Sequence, residues 1–288
     1  MNYYLTILIY MGINSILALS LNIIVGYAGQ ISLGHAAFYG VGAYTSALIA
    51  TKLGVSFWVA LPAAIVMTAF IGAILGLPSL RVSEDFLAIT TIGINFVVQA
   101  TFKYVKFFGG ALGISGIPFP SIGHHNLSLA EFALMTTIFT VLAAIITYWV
   151  SVSWIGLGLK AVREDELAAS SSGVNVYKFK VLAFIIGSAL AGLAGSLYAH
   201  FMMFITADDF SFPLSITILS MIVIGGIGTV RGAFLGAILL TILPELFRPL
   251  ADYRMLVYAV LLILFMRFLP EGLIGDESIL WKKLTRKA

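Results

Sequence analysis

Long uncharged stretches divide the chain into segments of membrane-spanning length. No Asp, Glu, Lys or Arg occurs in residues 1–51, 53–80, 132–159 or 181–207. Each stretch exceeds the roughly 20 residues that a helix needs to cross the hydrocarbon core. The stretches are apolar on every face, whereas the strands of a membrane β-barrel alternate polar and apolar residues. The pattern therefore predicts an all-α, polytopic transmembrane helical bundle.

The apolar pattern divides into about nine hydrophobic segments, within a range of roughly eight to ten. Several are rich in glycine, and segment 213–230 is barely long enough to span, so broken or re-entrant helices are expected among them. The predicted segments are 4–25, 31–50, 56–78, 86–107, 130–150, 181–203, 213–230, 232–248 and 254–270.

Composition favours a single transmembrane domain over residues 1–288. Hydrophobic residues make up 60% of the chain and charged residues 10%, against about 25% charged residues in a soluble domain. The net charge of +3 comes from a basic tail in residues 271–288, which indicates a cytoplasmic anchor rather than a nucleic-acid-binding patch. The absence of cysteine excludes a disulfide framework and a thiolate metal site.

The distribution of Lys and Arg predicts the orientation in the membrane. With the C-terminus in the cytoplasm, nine spans place eleven of the 16 basic residues inside, as the positive-inside rule requires. Residues 151–180 then form the longest cytoplasmic loop, and residues 108–130 form an uncharged external loop. The inward residues are Arg81, Lys160, Arg163, Lys178, Lys180, Arg231, Arg267, Lys282, Lys283, Arg286 and Lys287.

The sequence lacks the motifs that would let this chain supply its own energy. It contains no G-x-x-x-x-G-K-[ST] motif, so it cannot hydrolyse ATP in the P-loop manner. It contains no H-E-x-x-H motif, and the pair His124-His125 is by itself a poor metal site. The predicted spans hold few of the ionisable groups that ion-coupled carriers use. These absences favour a pathway powered by another polypeptide, with a self-sufficient channel or secondary carrier as the alternative.

A polar stripe on one predicted span supplies candidate pathway residues. Thr91, Asn95 and Gln99 are four residues apart and therefore share one helical face. His35, in a stretch rich in Gly and Ala, is a fourth candidate. Polar side chains in a membrane helix either line a wet path or bond to a neighbouring helix. Both alternatives stay open for the stripe, whereas for His35 a bond to a neighbouring carbonyl inside a tightly packed helix pair is favoured.

The 151–180 loop holds the second candidate site, a contact for a motor protein. The sequence predicts one helix from about Ala161 to Ser172, with Gly173 at its C-terminal end. A charged cluster followed by apolar residues suits docking into a groove, with Ala168 and Ala169 facing the partner. A solvated surface helix of mixed charge is the alternative. The candidate contact residues are Arg163, Glu164, Asp165, Glu166, Leu167, Ala168, Ala169 and Gly173.

Several blocks of the sequence resemble one family. The stretch Gly26–Leu48 strongly resembles the N-terminal motif of branched-chain amino acid ABC transporter permeases, the LivH/LivM family. The loop and C-terminal blocks are most similar to the LivM branch. A faint similarity also links Gly26–Gly40 with Gly225–Gly236, which indicates either an internal repeat or chance. The other similar blocks begin, in the family's order, at Leu77, Lys160, Leu182, Gly225 and Arg267.

The resemblance implies an importer of several chains in the bacterial plasma membrane. The expected partners are a second permease, two cytoplasmic ATPases that hold ATP and Mg, an extracytoplasmic solute-binding protein and membrane lipid. This chain would carry no cofactor, and the solute would be a branched-chain amino acid, with urea or a short amide as the alternative. The 151–180 loop resembles the coupling helix of such permeases. It departs from the E-A-A-x-x-x-G pattern, because Leu167 takes the glutamate position and Glu166 stands one residue early.

Overall fold

The computed structural model describes most of the chain, and the described part is almost entirely helical. The prediction of an all-α polytopic bundle is confirmed. The first eight predicted segments each contain one helix, whereas the ninth, 254–270, and the basic tail fall largely outside the described residues. Those residues are 2–77, 84–123, 125–246, 259–260, 263–265, 267 and 272–275.

The main elements of the described ranges are ten α-helices, three short 3-10 helices (Lys106–Phe108, Gly110–Leu112 and Ala207–Phe210) and four two-residue strands. The helices are α1 (Asn2–Leu21), α2 (His35–Lys52), α3 (Phe57–Gly76), α4 (Glu84–Tyr104), α5 (Leu129–Val152), α6 (Trp154–Glu164), α7 (Glu166–Ser171), α8 (Val176–Met202), α9 (Phe212–Gly225) and α10 (Val230–Leu246). A π-helical turn, Asn22–Tyr27, continues α1. The strands are β1 (Ile114–Ser115), β2 (Ser121–Ile122), β3 (His125–Asn126) and β4 (Phe204–Ile205), and the antiparallel pairs are β1 with β4 and β2 with β3.

Helix length separates full spans from shorter helices. Within the described residues, five helical stretches are long and apolar enough to cross a membrane. Helix α9 is apolar but has only 14 residues, which is about 21 Å of helix against a hydrocarbon core of about 30 Å. The spans are Asn2–Tyr27, Phe57–Gly76, Phe86–Tyr104, Leu129–Val152 and Val176–Met202.

Helices α1, α2 and α8 form the centre of the bundle, and α4 lies at its edge. In the most apolar part of α1 and of α8, 67% of the residues are buried, against 22% in α4. Close approach of α8 to α2 depends on facing glycines, because a Cβ on Gly42 would lie 2.5 Å from the Cα of Gly192. Small residues permit such backbone contact between membrane helices.

The contacts between helix ends define two sides of the bundle. On the loop side lie α6, α7, the end of α1 and the start of α8. On the strand side lie the four strands, where β1 pairs with β4 and the indole of Trp58 donates to the Ser121 carbonyl at 3.0 Å. Residues 108–130 and 151–180 therefore lie on opposite sides of the bundle. The orientation predicted from the basic residues also requires these two loops to be on opposite sides. That the loop side is cytoplasmic stays a prediction.

Candidate pathway and coupling site

The first candidate residue, His35, begins α2 after a non-helical segment, residues 28–34. Its side chain is fully buried, and Nε2 lies 2.6 Å from the Ser20 hydroxyl of α1. That hydroxyl donates its one proton to the Leu17 carbonyl at 2.6 Å. Nε2 of His35 therefore carries a proton and donates it to Ser20. The partner is a side-chain hydroxyl rather than the predicted carbonyl, and Nδ1 of His35 is buried with no hydrogen-bond partner among the described residues.

The polar stripe of α4 faces the protein, and two of its three members bond to other elements. Thr91 Oγ1 accepts from the Leu33 N–H at 2.9 Å, which ties α4 to the residues just before His35. Gln99 Nε2 donates to Asp208 at 3.3 Å. Asn95 lies between them with no exposed surface, and neither atom of its amide has a partner among the described residues. The structure thus brings Thr91 close to the start of α2 and places Gln99 elsewhere.

Two further buried polar residues, Gln30 and Ser32, were not among the sequence candidates. Gln30 is 2% exposed and Ser32 is fully buried, and their side-chain polar atoms have no partner in the described structure. Buried polar atoms normally bond to protein, water or ligand. Both residues lie between Gly29 and Gly34, in the break between α1 and α2. The two flanking glycines are the sequence pattern from which these residues could have been identified.

Among the described residues, Ser15, Tyr44 and Nδ1 of His35 are also buried without a partner. The 28–34 segment and Asn95 therefore hold several, though not all, of the unpaired polar groups that a solute pathway could use.

The 151–180 loop contains two helices rather than the single predicted helix from Ala161 to Ser172. The chain leaves the helical conformation at Asp165, with φ −159° and ψ 113°, so α6 ends at Glu164. The Asp165 carboxylate accepts from the backbone N–H groups of Leu167 at 2.8 Å and Ala168 at 3.0 Å. Asp165 is thus the N-cap of α7, a role that Asp fills better than it continues a helix.

Helix α7 presents only part of the predicted contact surface. Leu167 is 79% exposed and Ala168 is exposed, but Ala169 is buried at 5%. The prediction that Ala169 faces a partner is wrong, because this side chain packs against its own chain. Gly173 ends α7 in the left-handed conformation at φ +84°, and the Val174 N–H returns to the Ala169 carbonyl at 3.0 Å. That turn is the one that the sequence predicts.

The charged residues of the loop fall into two groups. Glu164 and Asp165 are exposed, whereas Glu166 forms an ion pair with Lys180 of α8, whose side chain is only 9% exposed. Arg163 is exposed as well, but its side chain extends to the π-helical turn that follows α1, where Nη1 donates to the Gly26 carbonyl at 2.5 Å. Glu166 and Arg163 therefore fasten the loop to the bundle. Among the described residues, no group of three His, Cys, Asp or Glu is placed to hold a metal ion.

Several apolar spans, an exposed helix on one side and buried polar groups at a helix break define a polytopic membrane transport protein. A model of the branched-chain amino acid transport system / permease component family matches residues 3–266. The chain belongs to this family of transport permeases.

Curated relatives agree with this assignment. The chain is 36% identical to the high-affinity branched-chain amino acid transport system permease protein LivM of Escherichia coli K12, over 90% of this chain and 67% of that protein. It is 26% identical to the probable LivM permease of Methanocaldococcus jannaschii, over 98% and 96% of the two chains. It is also 28% identical to the LivH permease of E. coli K12, over 92% of each. No solved structure matches the chain.

Proposed function

We propose that this chain is the membrane-spanning permease of an ATP-driven importer that carries branched-chain amino acids. The family match over residues 3–266 carries the proposal. Relatives of both the LivM and the LivH type bear the name of a branched-chain amino acid transport permease. The absence of a P-loop motif agrees with a non-catalytic subunit whose energy comes from other chains.

The proposed assembly contains this permease, a second permease, two cytoplasmic ATPases and an extracytoplasmic solute-binding protein. ATP and Mg would bind to the ATPases, and this chain would carry no cofactor. Exposed apolar side chains on the outer helices, such as Phe86 at 65% and Trp149 at 69%, suit contact with lipid or with the second permease. The loop side would face the cytoplasm of a bacterial cell, as the basic residues predict.

The motor contact in this proposal is the exposed tip of α7. Leu167 and Ala168 form a small apolar surface that suits a groove on an ATPase. Glu164 and Asp165 beside them would orient the docking through their charges. The contact must be rigid if movement of the groove is to move the loop. Three features make α7 rigid, namely the cap at Asp165, the ion pair of Glu166 and the turn at Gly173.

The pathway in this proposal runs past the break between α1 and α2 and along the inner face of α4. Thr91, Asn95 and His35 lie there, with Gln30 and Ser32 as additions from the structure. A zwitterionic solute inside a membrane needs polar partners, and an unpaired buried amide such as that of Asn95 offers one donor and one acceptor group.

Uptake by the complete assembly tests this proposal. The importer, reconstituted with its solute-binding protein and with ATP at the ATPase side, should accumulate labelled leucine, isoleucine or valine. Labelled urea and acetamide serve as matched small solutes. Accumulation of urea or acetamide in preference to all three amino acids would assign the chain to the other substrate class.

A further inference from the structure

The side chain of Arg163, at the end of α6, lies between two glycine-rich turns that are distant in the sequence. Its Nη1 donates at 2.5 Å to the Gly26 carbonyl, in the π-helical turn that continues α1. A Cβ on Gly29 would lie 2.8 Å from Arg163 Cγ, and a Cβ on Gly228 would lie 3.0 Å from Nη1. Arg163 therefore fills the space between the end of α1 and the turn that joins α9 to α10.

The two turns are also joined to each other, through Asn22. Its fully buried amide accepts from the Gly228 N–H at 2.8 Å and donates to the Thr229 carbonyl at 3.3 Å. A Cβ on Gly26 would lie 2.8 Å from the Gly228 nitrogen, so the two backbones are in close contact. A displacement of one turn must therefore move the other.

The chemistry of this contact suits arginine and glycine specifically. The carbonyls of the last helical turn lack partners within the helix, and a cation there also interacts favourably with the helix dipole. The planar guanidinium carries several N–H donors in a fixed arrangement, so it can bond to the Gly26 carbonyl while it lies close to a second backbone, whereas a lysine ammonium is a compact point charge. Gly29 and Gly228 have φ of +69° and +83°, so both the conformation and the space exclude larger residues.

We propose that Arg163 is a positioning residue that transmits movement of the 151–180 loop to these two turns, and that it is not a motor contact. This inference rests on the proposed function. The end of α1 leads directly into residues 28–34, where Gln30 and Ser32 are buried without partners, and then to His35. A shift of Arg163 therefore moves two regions, the break between α1 and α2 and the turn between α9 and α10.

The first test compares Arg163→Gln and Arg163→Lys with Lys160→Gln in the reconstituted importer. Lys160 is an exposed residue of the same helix, α6, and its replacement by Gln removes the same charge. Both Arg163 variants should co-purify with the ATPases and keep basal ATP hydrolysis within about twofold of the wild-type rate. Solute-stimulated hydrolysis and uptake should fall about tenfold or more, because the loop moves without the turns. Lys160→Gln should retain both.

The second test measures motion directly and does not depend on which solute is carried. The sequence has no cysteine, so spin labels can be placed at Ser171→Cys in α7 and at Ile227→Cys in the α9–α10 turn. In the wild-type background the distance between the labels should stay the same with and without ATP, because both move as one body. In the Arg163→Gln background the distance should change or its distribution should broaden when ATP binds.

Either test can overturn the inference. Loss of the ATPases from Arg163→Lys would make Arg163 a motor contact. Normal solute-stimulated ATP hydrolysis and uptake in Arg163→Gln would show that the turns do not follow this side chain. A label distance that is equally constant in both backgrounds would show the same. A wild-type assembly that accumulates no branched-chain amino acid would contradict the proposed function alone, since the label distances would still decide the role of Arg163.

Discussion

The Glu166 carboxylate and the Lys180 ammonium form an ion pair that ties the short helix α7 to the first turns of α8. Lys180 is 9% exposed at its side chain and Glu166 is 42% exposed, so one partner is buried and the other is partly solvated. This pair gives Glu166 a role within the chain, in a loop where the family pattern places its glutamate one residue later.

Glu166→Gln should loosen α7, because it leaves the buried Lys180 without a counter-charge. Screening at the partly exposed carboxylate limits the loss to about 1 kcal/mol. The amide protons of Leu167 to Ser172 should exchange faster with solvent, as measured by hydrogen exchange of the purified protein. Glu164→Gln is the matched control, since Glu164 has no ion pair among the described residues. Unchanged exchange in Glu166→Gln would show that the pair does not hold the loop.

Ala168→Arg should prevent docking of the ATPases and leave the permease inserted and folded. Ala168 is exposed on α7, so the new side chain meets only the partner, where an unpaired buried charge costs several kcal/mol, roughly 3 to 5. Co-purification with the ATPases measures this loss. Leu112→Arg adds the same charge on the strand side, at a residue 85% exposed, and should retain the ATPases. Retained ATPases in Ala168→Arg would place the motor contact elsewhere.

Asn95→Leu separates the two interpretations of the polar stripe. The Asn95 amide is buried without a partner, so an apolar side chain should raise thermal stability, by about 1 kcal/mol, while leucine uptake falls. Asn22→Leu is the control, because it leaves the Gly228 N–H and the Thr229 carbonyl without their hydrogen-bond partner. It should lower the free energy of unfolding by about 2 kcal/mol. Lower stability with unchanged uptake in Asn95→Leu would mean that Asn95 serves helix packing.

The predicted orientation can be read from two single-cysteine variants. Leu112→Cys and Ser171→Cys introduce exposed thiols on the strand side and the loop side of a chain that has no cysteine of its own. In intact cells an impermeant maleimide should label Leu112→Cys at once and Ser171→Cys only after the membrane is opened. The reverse labelling would place the 151–180 loop outside the cell.

The sequence predicted the features of the fold that depend on residues close together in the chain. Apolar stretches predicted the helices, although only five helical stretches of the described residues are long and apolar enough to be spans and the count of nine is not confirmed. Gly173 predicted the turn after α7, because a left-handed backbone is a local property. The break at Asp165 was missed, because the helix formers on both sides of Asp165 were given more weight than the preference of Asp for a cap. The contacts of Arg163 with Gly26 and of Glu166 with Lys180 depend on the packed bundle, so no local pattern indicates them.

We expect this chain to form the pathway for the solute and other chains to supply the energy. The direct measurement compares two sets of liposomes, one with the purified chain alone and one with the complete importer. In both sets, labelled leucine and the solute-binding protein are outside, and ATP is supplied at the loop side. The complete importer should hydrolyse ATP and accumulate leucine against its gradient, whereas the isolated chain should do neither. Accumulation of leucine by the isolated chain would contradict the account and identify a self-sufficient carrier.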